Sequence, residues 1–226
     1  MEIKTIPFYK LGINWNNIWR ESGHYGFRPD KDIESIFTSV QKEIENIATP
    51  MYGYKVLKNE NSSDNKLRLG GIELNVGALI SSYLNKAEEF IIFVATVGKE
   101  YEEYMKRLSD SNDIVKSFFA DLIGSAIAEH IGSIIYEEVC EMQNQKGFTT
   151  SYSYSPGYCD WPLSDQAALF SLFPPNPCGI TLTDSHLMLP IKSISGILGS
   201  GREVKKNPHN CAICNMKNCF RKKMLV

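Results

Sequence analysis

Apolar residues fall at helical spacing in the first well-patterned stretch of the chain. Ile33, Ile36, Phe37, Val40, Ile44 and Ile47 follow Asp30, which can cap, and precede Pro50, so an amphipathic helix is predicted between them. Before it, residues 1–22 carry Ile6, Phe8, Tyr9, Leu11, Ile13, Trp15 and Trp19 without a clear period. That pattern predicts a strand or an irregular lead-in. Residues 52–57 and 67–76 read as strands, the second with a bulge at Gly70-Gly71. The polar run NENSSDNK between them predicts a hairpin. A helix follows over 78–86. Residues 88–96 are then a continuous apolar run of the fully buried strand type, leading through Val97-Gly98 into the charged helix KEYEEYMKRL.

Asp113 opens the longest helix, in which Ile114, Val115, Phe118, Phe119, Leu122, Ile123, Ile127, Ile131, Ile134, Ile135, Val139 and Met142 make a wide apolar face. Gly147 fits its C-terminal end. Gly124, Ser125, Ala126, Ala128 and Gly132 lower its helix propensity, which predicts close approach to a sheet. His130 on this helix reads as an ordinary packing or surface histidine. Strands over 149–154, 179–183 and 192–198 complete an α+β pattern. No repeat or linker interrupts residues 1–200, which read as one domain followed by a tail over 201–226.

The 226 residues are long enough for one sizeable core, and 43% hydrophobic with 22% charged content is ordinary for a globular chain. No signal-type segment is visible, and apolar runs such as 90–95 are too short to span a bilayer, so a cytoplasmic protein without a membrane partner is expected. Residues 201–226 hold seven Lys or Arg against Glu203, a net +6, so residues 1–200 carry −8 of the total −2. A basic tail on an acidic body points to an anionic partner or ligand, or to solubility. Nucleic acid is disfavoured, because the body shows no basic patch with interleaved aromatics.

Candidate chemistry concentrates in residues 153–199. Ser155-Pro156-Gly157-Tyr158 is a turn in which proline fixes φ and glycine admits a positive φ, bringing backbone near a ligand or partner. Cys159, Asp160 and Trp161 add a thiol, a carboxylate and an aromatic at its exit. Ser164 then reads as the cap of a helix through Ala167, Ala168, Leu169, Phe170 and Leu172. A strand, turn and short helix are also common architecture with no chemistry attached.

The order SPGY, DWPLSDQ, LF and GITLTDSHLMLPIKSISG resembles the activation (reactivation) domain of cobalamin-dependent methionine synthase, especially its free-standing bacterial relatives. The likeness extends upstream through YGFRPD, GGIELN, FVATVG and DLIGSAIAE, and covers most of residues 23–200. It implies a curved, mainly antiparallel sheet flanked by helices. It also implies S-adenosylmethionine as ligand and docking on a cobalamin-carrying module, with support for reductive methylation of cob(II)alamin. By position, Ser155, Pro156, Gly157 and Tyr158 fall on the family's ligand-binding turn, and Asp184 and Ser185 on an acidic-Ser pair that could equally cap a turn. At Ser153 family members typically carry an arginine that can pair with the ligand's carboxylate. Lys192 or Arg202 could supply that charge here.

The tail offers Cys211-x2-Cys214-x4-Cys219, three thiols at metal-ligand spacing. Cys159, Cys178 or His209 could complete the set, whereas Cys140 lies within the long helix. Zinc would tie down the tail, and an iron–sulfur cluster would provide a low-potential electron; the spacing does not choose between them. Three functions follow. The chain is a reactivating accessory for a corrinoid protein or for a methionine synthase lacking this domain, a non-catalytic module docking on a corrinoid protein, or an electron-transfer accessory working through its cysteines.

Overall fold

The computed structural model describes residues 1–15, 18 and 30–206. Its centre is strand β5 (Glu89–Thr96), buried from Phe90 onward, as its unbroken apolar run requires. Around it an antiparallel sheet is ordered β1 (Ile3–Thr5), β2 (Met51–Lys58), β5, β9 (Ser193–Gly201), β6 (Thr149–Thr150). Every pairing within this sheet is antiparallel.

The sheet separates two cores. Helices α1 (Lys31–Ile47), α3 (Lys99–Asp110) and α4 (Ile114–Asn144) cover Ile91, Phe93, Ala95 and Leu198 on one face. On the other, Phe90, Ile92, Val94 and Ile197 pack with the hairpin of β3 (Leu67–Leu69) and β4 (Ile72–Leu74), with α2 (Gly77–Leu84) and with α5 (Asp165–Ser171). The period of two along a strand assigns each residue of β5 and β9 to one core or the other.

The helix ends follow local chemistry. Asp30 accepts from the Asp32 and Ile33 amides at 3.1 and 2.9 Å, and Asp113 from the Lys116 amide at 3.0 Å. The α4 end closes with the Phe148 amide on the Gln143 carbonyl and the Gly147 amide on the Asn144 carbonyl, Gly147 taking φ +75°. Close approach of α4 to its neighbours also holds. A Cβ at Gly132 would lie 3.1 Å from Ile194 of β9, and one at Gly124 would overlap the Tyr101 ring of α3. His130 bonds the Ala126 carbonyl of its own helix at 2.8 Å, an ordinary structural role.

Several expectations are corrected. The polar run after β2 does not close a hairpin with residues 67–76. β2 pairs with β5, and Gly70-Gly71 is the turn, both residues at positive φ, that folds β3 onto β4. The helix expected over 78–86 runs Gly77–Leu84. Residues 149–154 form only the two-residue β6 plus a bridge from Tyr154 to Ile197. Residues 181–182 (β7) pair with 188–189 (β8) in a separate hairpin. β9 runs to Gly201 and Val204 is buried, so the folded body continues past residue 200. Helix α4 is long and apolar enough by composition to cross a membrane, with mean hydropathy 1.4 over its best window. Half of that window is buried inside the protein, as the core helix of a sheet-on-helix layer requires.

Glu138 of α4 ties β1 and β2 to the helix layer. It accepts from the Lys4 ammonium and from the Tyr52 and Tyr54 hydroxyls, the last at 2.7 Å. Burial works to raise its pKa, but the Lys4 ammonium and the two phenols outweigh that and hold it below the ordinary 4.5. A depressed carboxylate contributes stability that is present above its unfolded pKa and lost as pH falls through the folded one. Glu138→Gln is therefore expected to cost about 1 kcal/mol near neutrality and to flatten the loss of stability below pH 4.5, read as urea midpoints between pH 3 and 7. A variant whose acid profile parallels the wild type would remove Glu138 from that role.

Candidate functional site

Two short segments, far apart in sequence, meet midway along β9. Tyr154 pairs with Ile197 in both directions, amide to carbonyl at 2.9 and 2.8 Å. One residue on, the Ser155 hydroxyl donates to the Ser195 carbonyl at 2.7 Å. Between these bonds, Gly196 passes so close that a Cβ there would lie 2.6 Å from the Tyr154 carbonyl oxygen. The SPGY turn is thereby pinned to the KSISG strand.

The turn itself is doubly closed. The Tyr158 amide reaches the Ser155 carbonyl at 3.3 Å, the Gly157 amide the Trp161 carbonyl at 2.8 Å, and the Trp161 amide the Tyr158 carbonyl at 2.9 Å. Gly157, Cys159 and Asp160 all have positive φ, at 90°, 50° and 67°, which glycine tolerates and the other two accept under tertiary constraint. The turn brings backbone to the surface, but the Gly157 and Tyr158 N–H groups are satisfied inside it. What faces outward is the Tyr158 side chain, 67% exposed, and Gly157 without a Cβ.

Trp161 anchors the exit. Its ring is buried, and its indole N–H donates to Asp165 at 3.1 Å, while the same carboxylate oxygen accepts the Asn75 amide at 2.6 Å. Ser164 makes no side-chain cap on α5, contrary to expectation. Asp165 engages Trp161 and β4 instead, and buried Gln166 donates to the Ser195 hydroxyl at 2.6 Å. The roles of Asp165 and Gln166 were missed, although both lie within the DWPLSDQ motif.

Tyr154 adds a further group. Its ring is buried and stacks on Tyr83 at 6.2 Å, and its hydroxyl has no hydrogen-bond partner among the described residues. Burial, with Tyr83 and Cys159 nearby, pushes the phenol well above its usual range. Tyr83 also lines a cavity of about 510 Å³ with Lys86, Glu203 and Lys205.

The other predicted residues disperse. Asp184 and Ser185 are exposed at the tip of the β7–β8 hairpin, whose turn is closed by the Thr183 hydroxyl accepting from the Leu187 amide at 3.1 Å. Ser185 hydrogen-bonds Thr183 at 3.0 Å. Lys192 is ion-paired to Asp121 at 2.6 Å and bonded to Ser125 at 2.9 Å, both on α4. It thus lies on the sheet face opposite Ser195 and Ile197, not beside the turn. Arg202 sits at the far end of β9, bound to Glu88 and over the Phe148 ring. Neither is placed to replace the arginine missing at Ser153.

Cys159 is half-buried, and Cys178 is buried in the second core, where burial pushes its thiol up to about 11. Among the described residues no three His, Cys, Asp or Glu side chains form a metal-binding group. Cys211, Cys214, Cys219 and His209 lie outside the described residues.

Comparison with known proteins bears on this geometry. The sequence matches the family model described as vitamin B12 dependent methionine synthase, activation domain, over residues 52–212, well over half of the chain. Among solved structures, the crystal structure of the MetH reactivation domain bound to AdoHcy is similar at TM-score 0.61 and 15% identity, covering 91% of this chain and 80% of that one. The likeness is one of fold: the α+β architecture with a curled antiparallel sheet is shared. No curated protein matches.

Proposed function

The chain belongs to the family of vitamin B12-dependent methionine synthase activation domains, and on that premise we propose that it is an accessory for reactivating a corrinoid protein or a methionine synthase that lacks this domain. In this reading it binds S-adenosylmethionine at the SPGY turn and docks on the partner's cobalamin-carrying module. One electron from a low-potential donor, cob(II)alamin and S-adenosylmethionine together give methylcobalamin and S-adenosylhomocysteine. The cobalt and the sulfonium carry that chemistry, and the protein supplies position and shielding.

The observation that carries the reading is the junction of the SPGY turn with β9. The Ser155–Ser195 and Tyr154–Ile197 bonds, with Gly196 between them, hold a preformed turn on a rigid strand. Trp161 and Asp165 fix its far side, so ligand binding needs little ordering of the backbone. Exposed Tyr158 offers a flat apolar face at the rim.

A non-catalytic docking role is the second reading, favoured by the engagement of Lys192 and Arg202 elsewhere. Calorimetric titration of the chain with S-adenosylmethionine and S-adenosylhomocysteine decides between them. Saturable binding of both, abolished in Gly157→Val, is the expected result. No heat with either ligand, while the protein still associates with a cob(II)alamin-loaded corrinoid protein, would leave the docking reading.

A further inference from the structure

The ladder between the SPGY segment and β9 stops at a proline, and a side chain continues it. Tyr154 and Ile197 exchange both backbone hydrogen bonds, so in an antiparallel pair the next bonded partners would be residues 156 and 195. Pro156 has no N–H to donate. The Ser155 hydroxyl donates to the Ser195 carbonyl in its place, at 2.7 Å. Attachment of the turn beyond Tyr154 therefore depends on where Ser195 stands.

Ser195 is held in turn by α5, where Gln166 donates to its hydroxyl at 2.6 Å. Gln166 is 2% exposed and Ser195 3%, so water does not compete for that bond. The neighbouring Asp165 accepts the Trp161 indole N–H at 3.1 Å and the Asn75 amide at 2.6 Å, and the Trp161 carbonyl accepts the Gly157 amide at 2.8 Å. Two consecutive residues of α5 thus reach both ends of the turn. Gln166 acts on its entry through Ser195, and Asp165 on its exit through Trp161.

We propose that Gln166 is a positioning residue for the ligand turn: without touching the ligand, it sets through Ser195 the geometry in which Ser155-Pro156-Gly157-Tyr158 binds S-adenosylmethionine. The inference rests on the proposed function for the ligand, and on the hydrogen bonds alone for the relay. Glutamine suits the place chemically. Being uncharged, it is buried against Ser195 without the desolvation cost of a carboxylate, and its amide supplies the donor that the Ser195 hydroxyl accepts. Removing it leaves that buried hydroxyl unpaired and loosens the strand segment to which the turn is tied.

The test uses the full chain, with residue-resolved amide hydrogen exchange and calorimetric affinity for S-adenosylmethionine. In Gln166→Leu the Gly157 and Tyr158 amides are expected to exchange at least about tenfold faster, whereas the Leu187 amide, closed within the β7–β8 hairpin, keeps its rate. Ligand affinity falls about tenfold in the same variant. Ser155→Ala cuts the next link of the relay, so the double variant should exchange no more than about twofold faster than either single one. In Gln166→Glu the ionised carboxyl is costly to bury and cannot donate, but once protonated it donates as glutamine does. Its affinity relative to the wild type should therefore recover as pH is lowered.

Unchanged Gly157 and Tyr158 exchange in Gln166→Leu, full additivity with Ser155→Ala, or a Gln166→Glu deficit that does not vary with pH would overturn the proposal. Should Gln166→Leu fail to fold, the same exchange and coupling are read with Gln166→Glu at neutral pH. A wild type that binds neither S-adenosylmethionine nor S-adenosylhomocysteine would sink the proposed function instead. Exchange and coupling are measured without ligand, so they still decide whether Gln166 positions the turn.

Discussion

Gly196→Ala is expected to destabilise the protein by about 3 kcal/mol and to detach the SPGY turn from the sheet. The sign is not obvious from secondary structure. Glycine inside a strand normally costs about 0.5–1 kcal/mol relative to alanine, and Gly196 has no positive φ that would forbid a side chain. Space decides instead. The new Cβ would lie 2.6 Å from the Tyr154 carbonyl oxygen and 2.9 Å from the Phe93 ring, and neither group can rotate away. The carbonyl is held by the Ile197 amide at 2.8 Å, and Phe93 is buried in the first core. Overpacking a constrained site costs more than the backbone entropy returns.

Urea unfolding measures the loss, and Gly132→Ala serves as a milder control, because a Cβ there would meet the movable terminal methyl of Ile194 at 3.1 Å. A Gly196→Ala midpoint within error of the wild type would refute the close approach. The functional corollary is specific. If the turn is a ligand site held by β9, Gly196→Ala should lose ligand binding at temperatures where far-ultraviolet dichroism shows the rest of the sheet intact.

Much of this arrangement was legible in the sequence where local chemistry alone decides. Asp30 and Asp113 cap their helices because a carboxylate after a polar stretch and before an apolar period has one good use. β5 was readable because a strand buried on both faces has no polar positions to alternate. Pairing was less legible. NENSSDNK signals a turn but not a partner, and the partner of β2 is β5, because burying eight residues against Glu89–Thr96 outweighs a short hairpin across the loop.

The state of the turn's amides was not legible for a related reason. SPGY announces a bend, but whether its amides are free depends on Cys159 and Asp160, whose positive φ values closed the second turn and which no residue rule required. The placement of Lys192 could have been read. Alternation along β9 puts Lys192, Ile194 and Leu198 on the helix face and Ser195 and Ile197 on the other, so a cation at 192 and a ligand at the turn belong to opposite sides of the sheet.

Ser153→Arg is expected to raise affinity for S-adenosylmethionine by about 30-fold. The position lies two residues before Ser155 and next to Tyr154, whose pairing with Ile197 fixes the local backbone, and its side chain is half-buried. In the resembled family this place typically carries arginine, and neither Lys192 nor Arg202 takes over the task, since Lys192 is held by Asp121 and Arg202 by Glu88. A bidentate guanidinium–carboxylate pair that is partly shielded contributes about 2 kcal/mol, the equivalent of that factor. Lysine at the same place should recover less, because its single ammonium cannot match both carboxylate oxygens.

The ligand series makes the cause testable. S-adenosylhomocysteine shares the amino-acid carboxylate and should gain equally. 5′-Methylthioadenosine lacks it and should gain nothing. The gain should shrink as salt is raised, as for any pair not fully buried. Equal improvement for 5′-methylthioadenosine would mean that the arginine acts by packing, and no improvement for any ligand would remove residue 153 from the site.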